Sequence, residues 1–366
     1  MEKKTTNPSS NDHAMAAAPS EFAGGDRADL TPHLRRLLQG DSLDASQTTQ
    51  AFEAMMTGNA SQGEMGALLA LLATRTPTPQ ELYGAARVMR DKVDRVVSSV
   101  PMESLLDTAG TGGAPKTFNV STLAAIVAAG SGVTVAKHGN KSRTGRGSAE
   151  VLQALGVDVD APTDAQGRAL EEAGICFCFA PRHHPATRYV MPVRQALGFP
   201  TIFNLLGPLT NPAGAGRQVV GVYEKRFLEP VAETLLELGT IRAAVMHSCD
   251  GYDEVSIGAA TDIMHVEDKA IRHEYFDPTQ IGISYRKMTD LMANDLDDAA
   301  DIFTAILDGK EKGPRRDLTL VNAALALVVA GKATSMSDGV QIASTLIDNG
   351  QCREKLDALI TWSKNC

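Results

Sequence analysis

Cysteine, aromatic side chains and long apolar runs are all scarce in this sequence of 366 residues. The five cysteines are odd in number and irregularly spaced, so they form no disulfide framework, which indicates a reducing cytoplasm. No apolar run of about 18 residues occurs, and no apolar signal segment is present near the N-terminus. We therefore expect a cytoplasmic protein without a membrane partner. Aromatic residues make up 5% of the chain, a balance common in α/β enzymes.

An excess of positive charge is also missing, because the net charge is −9 at pH 7. A protein that binds nucleic acid usually carries a basic surface, so we expect no nucleic-acid partner. Basic residues are instead concentrated in one short stretch that holds Lys137, Lys141, Arg143 and Arg146. A local basic loop on an acidic body fits a small anionic ligand.

The pattern along the chain predicts two domains after a polar tail. Residues 1–28 are polar without periodicity and are predicted to be disordered. Residues 29–98 have a helical pattern throughout and are predicted to form a small all-helical domain, joined by helices from about 186–212. Residues 99–366 alternate strand and helix patterns, which predicts a large α/β domain with a central mixed or parallel sheet flanked by helices. Strands are predicted at residues 133–136, 156–160, 175–180 and 242–248. Cys176 and Cys178 in the third strand are expected to alternate faces and to be buried.

Two glycine-rich polar stretches organise the α/β domain. The first reads DTAGTGGAPKTFNVST from Asp107, and the second reads KHGNKSRTGRGSAEVLQAL from Lys137. Glycines let a backbone fold tightly and present N–H groups to an anion, and a helix start capped by Asn119, Ser121 and Thr122 adds to such a site. The strand at 133–136 is expected to deliver the second stretch to the loop beyond its end, where ligands bind in open α/β sheets. The two loops predict one polyanion held from two sides, and the alternative is a solvated basic turn.

The glycine spacing matches neither a dinucleotide-binding motif nor a P-loop. Two charged features further along bear on the same site. Asp253 and Glu254 form an acidic pair in a turn after the strand at 242–248. Such a pair is either an exposed acidic surface or, beside a polyphosphate, a set of ligands for Mg²⁺. Arg194 is either a surface charge or a planar fork for a carboxylate.

The motifs GTGG…TFNVST and KHGN…GSAEVLQALG together resemble the anthranilate phosphoribosyltransferase family of the tryptophan pathway, from about Leu30 to the C-terminus. The resemblance implies a nucleoside-phosphorylase-like fold, with residues 99–366 as the domain that binds phosphoribosyl pyrophosphate (PRPP). It implies transfer of the phosphoribosyl group of PRPP to the amine of anthranilate, with two Mg²⁺ ions per subunit and a homodimer formed through the helical domain. No covalent intermediate and no acid or base residue is expected.

The resemblance also implies individual roles. The PRPP site contains Gly110, Gly113, Ala114, Thr117, Asn119, Val120, Ser121, Thr122, Lys137, His138, Gly139, Asn140, Lys141 and Ser148. The anthranilate site contains Gly110, Asn140, His184, Arg194 and Pro208. The metal site contains Ser121, Asp253 and Glu254. Within these sets Lys137 is expected to face the pyrophosphate and Asn140 to face anthranilate.

Both loops depart from the family pattern. Ala114 stands where the family usually has Asp, Lys141 stands where it usually has Arg, and each loop looks one residue shorter. The missing carboxylate is expected to alter the seat of a second Mg²⁺ or inhibition by high Mg²⁺. Three alternatives stay open from sequence: another aromatic acceptor, a nucleoside phosphorylase that uses phosphate, and a non-catalytic relative that binds nucleic acid.

Overall fold

A computed structural model describes residues 28–142 and 144–366. Apart from Ala28, the tail predicted to be disordered lies outside the described residues. Within the described residues the helices are α1 (Thr31–Leu38), α2 (Ala45–Met56), α3 (Gln62–Ala73), α4 (Pro79–Asp91), α5 (Val120–Gly130), α6 (Ser148–Ala154), α7 (Gln166–Glu172), α8 (Ala180–His183), α9 (Met191–Leu197), α10 (Ile202–Leu209), α11 (Leu228–Glu237), α12 (Leu296–Leu307), α13 (Pro314–Ala330), α14 (Met336–Asp348) and α15 (Gln351–Lys364). The strands are β1 (Leu106–Gly110), β2 (Val135–Gly139), β3 (Ile175–Phe179), β4 (Arg217–Gly221), β5 (Arg242–Ser248), β6 (Thr261–Glu267) and β7 (Ala270–Phe276).

Local capping residues start the N-terminal helices. Asp44, Ser61 and Thr78 each accept a hydrogen bond from the backbone N–H three residues on, and each forms a full capping box. Pro79 occupies the first turn of α4, where its missing N–H costs no helical bond. These starts depend only on a few neighbouring residues and need no tertiary contact.

The seven strands form one mixed sheet in the order β3-β2-β1-β4-β5-β6-β7. The pairs from β3 to β5 are parallel, and β6 and β7 add an antiparallel hairpin. This sheet confirms the predicted fold class. The chain reverses its direction of winding between β1 and β4, so their carboxyl ends border the crevice where open α/β sheets bind ligands.

Two large apolar cores cover the two faces of the sheet. Helices α5 and α13 pack together in the core on one face, which also includes residues of α14 and α15. The other core joins the N-terminal helices to α9, α10, α11 and the sheet. Helix α9 packs on α3, and α10 packs on α4, although more than 100 residues separate α9 from α3 in sequence. The boundary near residue 98 stays a prediction, because this core continues from the helices into the sheet.

Two of the predicted strands are wrong in position or in kind. The strand expected at 133–136 begins at Val135 and runs to Gly139, because its register is set by five pairs with β3. Lys137 and His138 therefore lie inside the strand rather than in the loop beyond it. Residues 156–160 form turns and irregular chain, and Val157 and Val159 are buried there without a strand partner. The alternating valines therefore indicate buried side chains here and not a β-strand.

Two local predictions also need correction. Cys176 and Cys178 lie on the same face of β3, since side chains alternate with a period of two, and their Sγ atoms are 3.7 Å apart. Both are buried, as expected. Asn119 precedes α5, but its side chain makes no capping bond, and its backbone is left-handed with a φ of 66°. No helix of the described residues combines the length and apolar character needed to cross a membrane.

Candidate active site

The first glycine loop leaves β1 at the point where β1 and β4 end side by side. The Thr111 N–H donates to the Gly221 carbonyl at 2.9 Å, and the Tyr223 N–H donates to Thr111 Oγ1 at 3.0 Å. Gly112 and Gly113 have φ values of 65° and 110°, which only glycine adopts without strain. The loop is thus anchored to β4 before it turns back towards α5.

The acidic pair after β5 packs directly on this loop. A Cβ on Gly110 would lie 2.7 Å from Asp253 Oδ2, and a Cβ on Gly221 would lie 1.8 Å from the Asp253 backbone oxygen. Thr117 Oγ1 donates to Glu254 Oε1 at 2.9 Å. Glycine at the ends of β1 and β4 therefore makes the room into which Asp253 fits.

The carboxylates of Asp253 and Glu254 repel each other, and a bound cation would relieve that repulsion. Removal from water, and then repulsion from Asp253, raise the pKa of Glu254 to about 8. Burial also raises the pKa of Asp253, against the opposing effect of Lys116. The described residues hold no group of three or more His, Cys, Asp or Glu side chains suited to a metal. Two carboxylates nevertheless suit Mg²⁺, which takes its remaining ligands from phosphate and water.

The second glycine loop connects β2 to α6 and is tied to the first. Asn119 Nδ2 donates to the Gly147 carbonyl at 2.9 Å, across the two loops. The Asn140 carbonyl accepts from Ala149 N and Ser148 Oγ, both at 3.4 Å. The Gly147 N–H donates to Glu150 Oε2 at 2.8 Å, which satisfies the start of α6. Lys141 lies exposed with its Nζ 5.8 Å from the Phe179 ring centroid.

The Lys137 side chain is buried, whereas Lys141 in the same motif is exposed. Its Nζ donates to the Thr108 carbonyl at 2.5 Å, and the residue is only 3% exposed. Burial lowers the pKa of Lys137 to about 8, against the opposing charge of Asp107. In this structure the ammonium is therefore engaged with β1.

Two histidines from separate segments meet beside the second loop. His138 Nδ1 lies 3.1 Å from the Gly207 carbonyl, which can only accept, so this nitrogen carries the hydrogen. His184 Nε2 lies 3.3 Å from His138 Nε2 and is then the donor to it. Burial lowers the pKa of His184 to about 4 and that of His138 well below its usual value. Both rings are thus neutral, and the His138 ring orients His184.

Two of the predicted acceptor residues, Arg194 and Pro208, lie in α9 and α10. The Arg194 guanidinium stacks over the Phe203 ring, 5.0 Å from its centroid, so the arginine is held by an aromatic face rather than extended into solvent. The next residue, Asn204, donates through Nδ2 to the Thr111 carbonyl of the first loop at 3.5 Å. Pro208 is buried in α10, and its carbonyl accepts from Gln218 Nε2 at 2.6 Å.

Sequence reasoning missed four residues near the loops. Lys116 is partly buried in the first loop, where burial lowers its pKa and the charges of Asp253 and Glu150 oppose that effect. Ala293, in the segment before α12, donates its N–H to the Thr117 carbonyl at 3.0 Å and accepts from Arg146, so it bridges both loops. Asp107 and Asn211 are buried and bonded to each other at 2.8 Å. The sequence signal that could have identified Asp107 is a charged residue inside a strand that is otherwise mostly apolar.

The two parts of the fold match two family models. Residues 31–93 match the glycosyl transferase family, helical bundle domain, and residues 102–353 match the glycosyl transferase family, a/b domain. The class defined by fold and site is therefore a glycosyltransferase with a helical bundle and an α/β domain.

Named relatives narrow this class. The anthranilate phosphoribosyltransferase of Anaeromyxobacter dehalogenans is 45% identical over 329 residues, which is 89% of this chain and 96% of the relative. The one from Xanthobacter autotrophicus is 43% identical over 338 residues, or 92% and 97% of the two chains. The crystal structure of anthranilate phosphoribosyltransferase from Thermus thermophilus is 37% identical, with a TM-score of 0.85 over 90% of this chain and 99% of that one. The chain belongs to the anthranilate phosphoribosyltransferase family.

A more distant structure has the same fold. The anthranilate phosphoribosyltransferase from Saccharomyces cerevisiae in complex with PRPP and Mg is 24% identical, with a TM-score of 0.84 over 92% of this chain and 98% of that one.

Proposed function

We propose that this chain carries out the reaction of its family, transfer of the phosphoribosyl group of PRPP to the amine of anthranilate with release of pyrophosphate. One observation carries the proposal: two glycine loops and an acidic pair meet at one sheet edge. The contacts of Thr117 with Glu254 and of Asn119 with Gly147 join these three parts, each at 2.9 Å.

The loops are suited to bind the phosphates of PRPP. Backbone N–H groups of Gly110, Gly113 and the start of α5 supply donors on one side, and the segment from Gly139 to Lys141 with Ser148 supplies them on the other. As pyrophosphate leaves, negative charge develops on its oxygens, and fixed N–H groups stabilise that charge without reorganising. The remaining predicted PRPP residues, Ala114, Val120, Thr122, Lys137 and His138, stay in the proposal as part of these segments.

We place the metal at Asp253, Glu254 and Ser121. When bound there, Mg²⁺ neutralises charge on the departing pyrophosphate. The two carboxylates would hold the cation, and Thr117 orients Glu254 through its hydroxyl. The family resemblance leads us to propose two ions per subunit.

The acceptor side is formed by Arg194, Asn140, His184 and Pro208. A planar guanidinium matches a carboxylate with two parallel hydrogen bonds, so Arg194 holds the carboxylate of anthranilate. Asn140 then orients the amine towards the anomeric carbon, which is a proximity effect. The amine is neutral at pH 7 and attacks without a base, and no covalent intermediate forms.

The direct test is the loss of anthranilate fluorescence with PRPP and Mg²⁺, at low and high Mg²⁺. We expect turnover at both levels, because Ala114 removes a carboxylate that the family usually carries at this position. If folded protein shows no turnover at both Mg²⁺ levels, the proposal is overturned, and the search turns to another acceptor or to nucleic acid. Phosphorolysis of a nucleoside, in which phosphate displaces the base and forms ribose 1-phosphate, instead indicates a phosphorylase.

We further propose a cytoplasmic homodimer formed through the helical domain, without a nucleic-acid partner. Leu38 at the end of α1 is 71% exposed, and Phe199 between α9 and α10 is 40% exposed. Exposed apolar side chains of this kind are typical of a surface that a second copy covers. Light scattering on purified protein tests the dimer. A monomer at micromolar concentration contradicts it, and retardation of DNA at low salt contradicts the absence of a nucleic-acid partner.

A further inference from the structure

The pairing between β1 and β2 breaks off after its first residue pair. Only Leu106 and Val135 are in register, whereas β1 makes five pairs with β4 and β2 makes five pairs with β3. At this pair the Leu106 N–H donates to the Thr134 carbonyl at 3.0 Å. The two strands that carry the glycine loops are therefore no longer paired by backbone bonds towards their carboxyl ends.

Three buried side chains take over the backbone groups that a parallel ladder would have satisfied. Asp107 Oδ1 accepts from the His138 N–H at 3.0 Å. Lys137 Nζ donates to the Thr108 carbonyl. Asn211 Nδ2 donates both to the Ala136 carbonyl and to Asp107 Oδ2, each at 2.8 Å.

These three side chains are almost completely buried from solvent. Asp107 is 0% exposed, Lys137 is 3% exposed and Asn211 is 6% exposed. One carboxylate and one ammonium balance each other, and burial raises the pKa of Asp107 while the Lys137 charge opposes the change. Asn211 also accepts from the Ala213 N–H at 2.9 Å, which anchors the chain after α10 to the same point.

A plain ladder would hold the strands about 4.8 Å apart and would need no buried charge. Burying charged and amide groups is costly unless every partner is present, so an uncharged ladder is the less expensive arrangement. The arrangement differs from a ladder in one respect that matters to the site. It replaces the residue pairing of β1 and β2 directly before Gly110 and Gly139, where the two glycine loops begin.

We propose that Asp107, Lys137 and Asn211 form a wedge that sets the spacing of the two glycine loops, with Asp107 as a positioning residue for PRPP. The part that concerns PRPP rests on the proposed function. The proposed effect of the wedge on the distance between the two loops does not depend on PRPP. Lys137 is assigned to the wedge.

Asp107→Asn tests the wedge with almost no change in volume. Its amide oxygen still accepts from His138, but its amide nitrogen faces the Asn211 amide nitrogen, so two donors meet. The double variant Asp107→Asn/Asn211→Asp exchanges donor and acceptor. It restores that hydrogen bond and the single negative charge, but it turns a carboxylate oxygen towards the Ala136 carbonyl, which the Asn211 amide contacts at 2.8 Å, so we expect partial recovery.

The first measurement needs no substrate. Spin labels on Pro115→Cys and Thr144→Cys, both at exposed loop positions, report the distance between the loops after Cys249 and Cys366 are replaced by Ser. We expect Asp107→Asn to shift or broaden the distance distribution and the double variant to return it towards that of the wild type. Asp262→Asn is the matched control, because it removes a carboxylate that is 3% exposed from the distant β6 strand, and it should leave the distribution unchanged.

The second measurement is PRPP binding by calorimetry. We expect the dissociation constant to rise about tenfold or more in Asp107→Asn, as for a buried polar pair left mismatched, and to recover in part in the double variant. An unchanged loop distance in Asp107→Asn overturns the wedge, as does a double variant that restores neither readout. If neither variant folds, Asp107 is a requirement of the core rather than of loop spacing, and the proposal also fails. If wild-type protein binds no PRPP, the proposed function fails, while the distance measurement still decides the wedge.

Discussion

Gly221 at the end of β4 gives the sharpest test of how the acidic pair is placed. A Cβ at this position would lie 1.8 Å from the Asp253 backbone oxygen and 2.7 Å from its carbonyl carbon. Ordinary contacts begin near 3.4 Å, so Gly221→Ala must displace the acidic loop by about 1.6 Å. The obstacle is backbone held between β5 and β6, and it cannot turn away as a side chain can.

Two losses should follow from this displacement. Forcing a methyl group into packed backbone costs about 3 kcal/mol of unfolding free energy, at the upper end of overpacking effects. A shift of more than 1 Å at a binding group can also cost about 100-fold in catalytic efficiency with PRPP and Mg²⁺. Urea unfolding measures the first loss, and initial rates at varied PRPP measure the second.

Gly110→Ala separates the two losses. Its Cβ would lie 2.7 Å from Asp253 Oδ2, the mobile end of a side chain, so rotation of the carboxylate relieves the clash. We expect a change of less than about 1 kcal/mol in stability but a marked loss with PRPP and Mg²⁺. Gly66→Ala in α3 is the control, because its Cβ meets only Val193 Cγ1 at an ordinary 3.7 Å. Full stability and full PRPP use in Gly221→Ala, or equal stability losses in both site variants, would refute this reasoning.

Three further predictions concern other parts of the molecule. Arg194→Ala should raise the KM for anthranilate far more than the KM for PRPP, and equal changes in steady-state kinetics would remove Arg194 from the acceptor site. Since His184 is neutral when folded with a pKa of about 4 against 6.5, its contribution of about 3 kcal/mol is present above pH 6.5 and is lost as the pH falls towards 4. Urea unfolding of wild type and His184→Gln should therefore diverge in slope between these pH values, and parallel slopes would contradict the buried neutral ring. Glu81→Gln should cost about 3 kcal/mol in the same assay, because it breaks a two-bond pair between Arg75 and a fully buried carboxylate. Glu53→Gln breaks a more exposed pair with Lys92 and should cost less than about 1 kcal/mol, and similar losses in both variants would count against the burial argument.

Residues close in sequence determined the helix starts, the two glycine loops and the acidic turn. Ser61 and Glu64, for example, cap α3 with partners only three residues apart. Such contacts form wherever the local chain takes a helical turn, and a sequence pattern predicts them directly. The alternation of strand and helix similarly indicated the sheet with helices on both faces.

Only the tertiary structure decided which polar side chains are engaged inside the molecule. His184 lies 46 positions from its partner His138, and Asn211 lies 104 positions from Asp107. The start of β2 likewise depends on pairing with β3, and the alternating valines at residues 157 and 159 find burial without a strand. The motif by itself determined that Lys137 and His138 stand next to the second loop. Their surroundings come from β1 and α10, which the fold brings beside β2, and a pattern read along one segment contains no information about such neighbours.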